Sequence, residues 1–455
     1  MKKLPIGIQN FREIIEDNYY YVDKTKYIYQ LTANGKYYFL SRPRRFGKSL
    51  FVDTLKEAFS GNKELFKGLY LENHWDWSKK YPVINISFGS GVEDDKDLID
   101  TIHSILNKHL EKNELKNKSD NFKIKFKDLI EDLHQKYNEK VVVLIDEYDK
   151  PILDKIENTK IAEQNREILR NFYSVIKDSD AYIKFAFITG VTKFNKVSIF
   201  SGLNQLKDIT LSPTYSSICG YTEKEITNIF GERLADINMD EMRWWYNGYR
   251  WLGESVYNPF DVLLFLDEKI YQSYWFATGT PTFLMKLIKE KKYYLPQLET
   301  IELNDGTLDS FDIDNIEIEN LLFQTGYLTI KSFKNDGFER YYEMSYPNYE
   351  VKVSLNRWIL RYLSNIGVSE ETKLIKQIRE AISKENVEKL RETLHSFFAS
   401  IPHQWYVNNK INEYEGFYAS MVYALFAATG LEVTCEDTTN KGRIDLTIKH
   451  GNKIY

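Results

Sequence analysis

Cysteine is nearly absent: Cys219 and Cys435 are the only two in 455 residues. One distant pair makes neither a disulfide framework nor, alone, a zinc site, and this favours a reducing compartment. The seven histidines are scattered, with no HExxH or His-x-His cluster. His403, in IPHQWY, reads as a packing or hydrogen-bonding residue rather than a ligand. No G-x-S-x-G elbow occurs, so a serine hydrolase is unsupported. Long apolar runs are missing too: VVVLI (141–145) and VLLFL (262–266) are far too short to span a bilayer. The opening MKKLPIGIQNFREII has two lysines but no apolar stretch of signal-peptide length. Charge of one sign is lacking as well. A net charge of -5 carries no global footprint of a nucleic-acid binder, so any DNA or RNA contact has to come from a local patch. The expectation is a cytoplasmic protein without a membrane association, its oligomeric state open.

What is present points to a globular chain. Hydrophobic residues make up 43%, and 33 Tyr and 27 Phe dominate an aromatic content too high for a disordered segment. The length exceeds one ordinary core and suggests two or three domains.

The first half alternates short apolar runs with long amphipathic stretches. YYFLS (37–41), VINISF (83–88), VVVLID (141–146) and IKFAFIT (183–189) are strand candidates. SLFVDTLKEAF (49–59), the lysine-rich region from about Asp95 to Tyr137, and roughly Ile161 to Ile176 have helical spacing. This alternation predicts α/β layers around a mostly parallel sheet. From about Tyr221 the alternation weakens. TEKEITNIF reads as a capped helix start, with Thr222 and Glu225 at capping-box spacing. An aromatic-rich stretch to about residue 370 predicts a helical-lid-like module and a small mixed region. The segment 371–401 is strongly helical and opens a third domain. The expected boundaries are 1–220, 221–370 and 371–455.

Two motifs carry chemistry. RPRRFGKSL (42–50) lies between a predicted strand and a predicted helix. Its Gly47-Lys48-Ser49 tail supplies what a phosphate-binding loop needs. The glycine lets backbone approach phosphate, the lysine reaches the terminal phosphates, and the serine hydroxyl coordinates Mg²⁺. Arg42 stands where the full G-x-x-x-x-G-K-[ST] pattern has its first glycine. By itself the short tail reads equally as a basic helix N-terminus without a ligand. Arg42, Arg44 and Arg45 read as added charge near a triphosphate, as a solvated basic loop, or as a patch for nucleic-acid phosphate. The nucleotide-contacting stretch is taken as Arg44, Arg45, Phe46, Gly47, Lys48, Ser49 and Leu50.

The second motif is VVVLIDEYD (141–149), five apolar residues ending in Asp146 and Glu147. An aspartate at a strand's carboxyl end can hold Mg²⁺ against the loop serine. The adjacent glutamate can polarise an attacking water. A buried strand ending in ordinary surface acids is the plainer reading, and the upstream loop weighs against it. Asp149 and Lys150 read as loop charges or a local ion pair. Thr189, at the end of the next strand candidate, reads as a γ-phosphate sensor or as a strand-end cap.

LPIGIQNF, YYYVDKTKYI, FLSRPRRFGKSL, VVLIDEYDKPI, FAFITGVTKF and SIFSGLNQLKDITL resemble the AAA-ATPase-like bacterial proteins that carry a C-terminal PD-(D/E)XK nuclease-like domain. WYNGYRW, YNPFDVL, YWFATGTP and GYLTI continue the resemblance across most of the chain. It implies an additional-strand P-loop NTPase sheet with helices on both faces, a helical and mixed middle region, and an incomplete α/β nuclease-like domain. It also implies ATP or GTP binding by Gly47, Lys48 and Ser49. Asp146 would hold the metal, Glu147 would activate water, and Thr189 would take the sensor position. VDKT (22–25) is shared, with no role beyond a supporting turn.

At the C-terminal end, Glu415 on a helix-like stretch and Asp445 in GRIDLTI (442–448) look like the first two members of a nuclease carboxylate set. The Glu-x-Lys that normally follows is absent before Tyr455, so this site is expected to be incomplete. A surface helix acid and a strand acid remain the plain alternative. WWYNGYRW (244–251) reads as a hydrophobic anchor or as a base-stacking platform. The expected function is Mg²⁺-dependent ATP hydrolysis controlling the attached nuclease-like domain. The alternative is a nucleotide-gated switch with little turnover that recruits a protein or nucleic-acid partner.

Overall fold

The computed structural model describes residues 1–193, 199–200, 203, 205–276, 282–309, 316–400, 411–439 and 442–455. Two compact units emerge. The first comprises Met1–Ile237, Tyr249–Ile270 and Asn304–Gly326; the second comprises Asn238–Gly248, Tyr271–Leu303 and Tyr327–Tyr455. The stretch 221–370 is thus shared between the units.

The first unit is built on a five-stranded parallel sheet. Its strands are β1 (Tyr37–Ser41), β2 (Val83–Ser87), β3 (Val141–Asp146), β4 (Ile183–Gly190) and β5 (Lys207–Asp208). They lie in the order β2-β3-β4-β1-β5, with β4 inserted between the loop-bearing β1 and the acidic β3. Every residue of β1 and β3 is buried, which requires cover on both faces and explains their lack of polar alternation. Helix Lys48–Phe59 packs against β2, β3 and β4. Its Phe51 meets Phe187 at 5.6 Å and its Phe59 meets Phe185 at 5.2 Å. Helices Asp95–Lys112, Phe122–Tyr137 and Thr159–Asp178 pack on one another, with Phe126 stacked on Phe172 at 4.7 Å. Each buried aliphatic of β3 contributes roughly 1.5–3 kcal/mol of burial free energy.

One local expectation holds and another is corrected. Thr222 and Glu225 form the reciprocal capping box at the start of helix Glu223–Phe230. The predicted helix over 371–401 is broken in two, Val368–Ser383 and Val387–Ser400. Glu385 turns left-handed at φ +56°, and the Asn386 side chain accepts from Lys389 N at 2.8 Å to start the second helix.

In the second unit, helix Tyr349–Ser364 packs on helix Ile411–Ala428. The strands Glu432–Thr439, Gly442–His450 and Lys453–Ile454 form an antiparallel sheet. Among the described residues, no helix is long and apolar enough to cross a membrane.

Candidate nucleotide site

The loop after β1 enters helix Lys48–Phe59 through Gly47, whose φ of +93° is left-handed. No neighbouring atom lies within 4 Å of where a Cβ would stand, so glycine is required here by backbone conformation rather than crowding. Lys48 is 7% exposed, and its Nζ donates to the carbonyls of Arg42 at 2.8 Å and Pro43 at 2.9 Å. Burial pushes the ammonium down from its ordinary value, against the opposing pull of Asp146.

The tip of β3 meets this loop. Asp146 is 6% exposed, with the Ser49 hydroxyl and the Lys48 ammonium both acting on its carboxylate. Burial raises its carboxyl, while the Ser49 hydroxyl and the Lys48 charge act the other way. Amine, hydroxyl and carboxylate therefore converge, as the two sequence motifs require. Glu147 follows in the left-handed region at φ +53°. Its Oε2 would stand 3.2 Å from a Cβ built on Gly89, just past the end of β2. Asp146 and Glu147 thus diverge, one toward Ser49 and the other over β2.

The arginines separate. Arg44 and Arg45 are exposed, and Arg45, left-handed at φ +68°, sets its guanidinium 4.9 Å from the centre of the Phe260 ring. Arg42 is different, and the reading of it as charge beside a triphosphate is corrected here. It is fully buried, with Nη1 donating to Ser41 O at 2.8 Å and Thr210 O at 2.9 Å, and Nη2 to Tyr215 O at 3.2 Å. Its guanidinium lies 4.1 Å from the Trp251 ring centre. The physical reason is the strand order: β1 is flanked by β4 and β5, so a side chain leaving its end enters protein rather than the loop's mouth. Phe46 is buried as well, edge-on to Tyr249 at 4.8 Å and Trp251 at 5.4 Å, and Leu50 is half-buried. Tyr249 and Trp251 of WWYNGYRW therefore cover the loop, whereas Trp244 stacks on Tyr349 at 3.8 Å within the second unit.

Thr189 is fully buried, and its hydroxyl donates to Leu40 O at 2.9 Å across the β1–β4 pair. Lys150 pairs locally with Asp154 at 2.8 Å. In the nuclease-like segment, Asp445 is exposed on strand Gly442–His450. Glu415 falls within helix Ile411–Ala428, but its side chain lies outside the described residues, as does the whole of His403.

Two features escaped the sequence reading. VDKT is a clamp. Asp23 accepts from Thr25 N at 2.8 Å and from Tyr70 N at 2.7 Å, and buried Lys24 reaches Glu225 at 2.7 Å and Ser217 O at 2.8 Å. The other is Asp149, which is buried rather than a loop charge. Its spacing after the acidic pair was visible, but nothing in the sequence revealed its depth.

Two protein families match parts of this chain. Residues 5–200 match the AAA-ATPase-like family, described as predicted AAA-ATPase, and residues 413–455 match the PD-(D/E)XK nuclease superfamily. A protein of Azotobacter chroococcum mcd 1, described as an uncharacterized protein in the vnfD 5′ region, is 49% identical over 458 residues, spanning 100% of this chain and 88% of its own length. The chain therefore belongs to the family of AAA-ATPase-like proteins that carry a segment of the PD-(D/E)XK nuclease superfamily.

Proposed function

We propose that the first unit binds ATP with Mg²⁺ and hydrolyses it, and that this regulates the nuclease-like segment. The observation that carries the reading is the meeting of the Ser49 hydroxyl, the Lys48 ammonium and the Asp146 carboxylate at the start of helix Lys48–Phe59. A hydroxyl and a carboxylate are hard oxygen donors. Mg²⁺ usually takes only one or two protein oxygens and completes its shell with phosphates and water, so this pair suits it. Bound Mg²⁺ supplies neutralisation of the charge that builds on the β- and γ-phosphate oxygens.

The remaining work falls to the side chains. Lys48 exchanges the Arg42 and Pro43 carbonyls for phosphate oxygens. Arg44 and Arg45 supply exposed positive charge at the loop's outer edge. Ser49 and Asp146 hold the metal. Glu147 accepts a proton from the water whose oxygen attacks the γ-phosphorus, while the bond to the β–γ bridging oxygen breaks. Thr189 is left a sheet-linking role unless its hydroxyl leaves Leu40. DNA or RNA is the proposed partner of the nuclease-like segment, through Asp445 and Glu415.

A second reading, a nucleotide-gated switch with little turnover, is favoured by the bonds that hold Lys48 to its own loop. Calorimetric titration with ATP and Mg²⁺ tests the site. Binding by the wild type and its loss in Lys48→Ala is expected, and equal binding by both would remove the assignment. Tight binding without phosphate release would select the switch.

A further inference from the structure

Two residues past Glu147, and outside every role assigned above, Asp149 is only 1% exposed. A carboxylate at that depth is costly unless its charge is answered by donors. Its Oδ2 accepts three hydrogen bonds, from Val191 N at 3.0 Å, Thr192 N at 2.6 Å and Thr192 Oγ1 at 2.7 Å. All three donors belong to the two residues that leave β4. Tyr148 repeats the attachment, donating its N–H to Thr189 O and its hydroxyl to Thr192 O, each at 3.1 Å. Gly190 makes room, since a Cβ there would stand 2.4 Å from Asp149 Oδ1 and 2.6 Å from the Tyr148 ring.

This clamp bears on Glu147. A left-handed conformation is unfavourable for an L-residue. It persists only where the surroundings over-determine it. On one side of Glu147, its N–H donates to Asp146 Oδ1 at 3.0 Å. On the other side stands the attachment of residues 148–149 to β4. Together they force the turn that throws the Glu147 carboxylate over the end of β2.

We propose that Asp149 is the positioning residue for Glu147, fixing the turn 146–149 to the end of β4 so that the water-activating carboxylate keeps one orientation. This rests on the hydrolysis reading above. The test measures ATP affinity and turnover of the full chain with Mg²⁺ for wild type, Asp149→Ala, Thr192→Val, Glu147→Gln and the Glu147→Gln/Asp149→Ala double variant. In Asp149→Ala, kcat is expected to fall roughly tenfold to a hundredfold, as for a misplaced reacting group, with ATP affinity changed less than about threefold. Asp149→Asn, which keeps an acceptor toward the three donors, should recover part of the loss. In the Glu147→Gln background, Asp149→Ala should cost nothing further, because the two act as one unit. Additive losses, or full turnover in Asp149→Ala while Glu147→Gln is impaired, would overturn the inference and leave the ATPase reading standing. A wild type without turnover would overturn both. If Asp149→Ala does not fold, Thr192→Val removes one donor at nearly constant volume, and the same kcat loss and its absence in the Glu147→Gln background decide the matter.

Discussion

Lys48 Nζ donates to the carbonyl oxygen of Arg42 at 2.8 Å, across the loop whose two ends these residues occupy. The same Arg42 sends its guanidinium the opposite way, into the carbonyls of Ser41, Thr210 and Tyr215 and against Trp251. Its backbone belongs to the loop before helix Lys48–Phe59 and its side chain to the core. That division explains how an arginine replaces glycine at the start of the pattern without closing the loop.

Restoring the glycine should therefore do harm. Arg42→Gly strips several buried carbonyls of their donor, each worth about 1–3 kcal/mol when left unsatisfied. The expected loss is about 3 kcal/mol or more, read as a lower urea midpoint, with no gain in ATP affinity. A variant as stable as wild type would show that these bonds are replaced by water.

Glu147→Gln keeps the shape of the side chain and removes its basicity. ATP affinity should stay near wild type while phosphate release falls by roughly 10²- to 10⁴-fold. Unchanged release would move the water-activating role to another group.

His109 gives a pH-dependent stability that is independent of the nucleotide site. Its Nε2 lies 2.9 Å from Asn85 O on β2, and burial lowers its pKa from the ordinary 6.5, ahead of the opposing Asn85 bond. The folded state thus favours neutral imidazole, and between the lowered value and 6.5 the unfolded chain binds more protons. Its contribution is present above 6.5 and is lost as pH falls toward the folded value. Urea midpoints of wild type should drop more than those of His109→Gln between neutral pH and about pH 5.5. Parallel curves would remove His109 as the source.

Sheet, loop and acidic strand were legible from the chain alone because their signals are local. VVVLID is apolar throughout because both faces of β3 are covered, and Gly47-Lys48-Ser49 marks the point where the loop after β1 enters a helix. Depth and direction were not legible. Arg42, Arg44 and Arg45 look alike in sequence, yet one is core and two are exposed. Asp146 ends β3 and Asp149 follows three residues later, but one faces Ser49 and the other is claimed by Thr192. Local pattern determined which elements form and which residue types reach their ends. Strand order, with β4 between β1 and β3, decided where each side chain points, because only the assembled neighbours supply the carbonyls and amides that a buried charge must find.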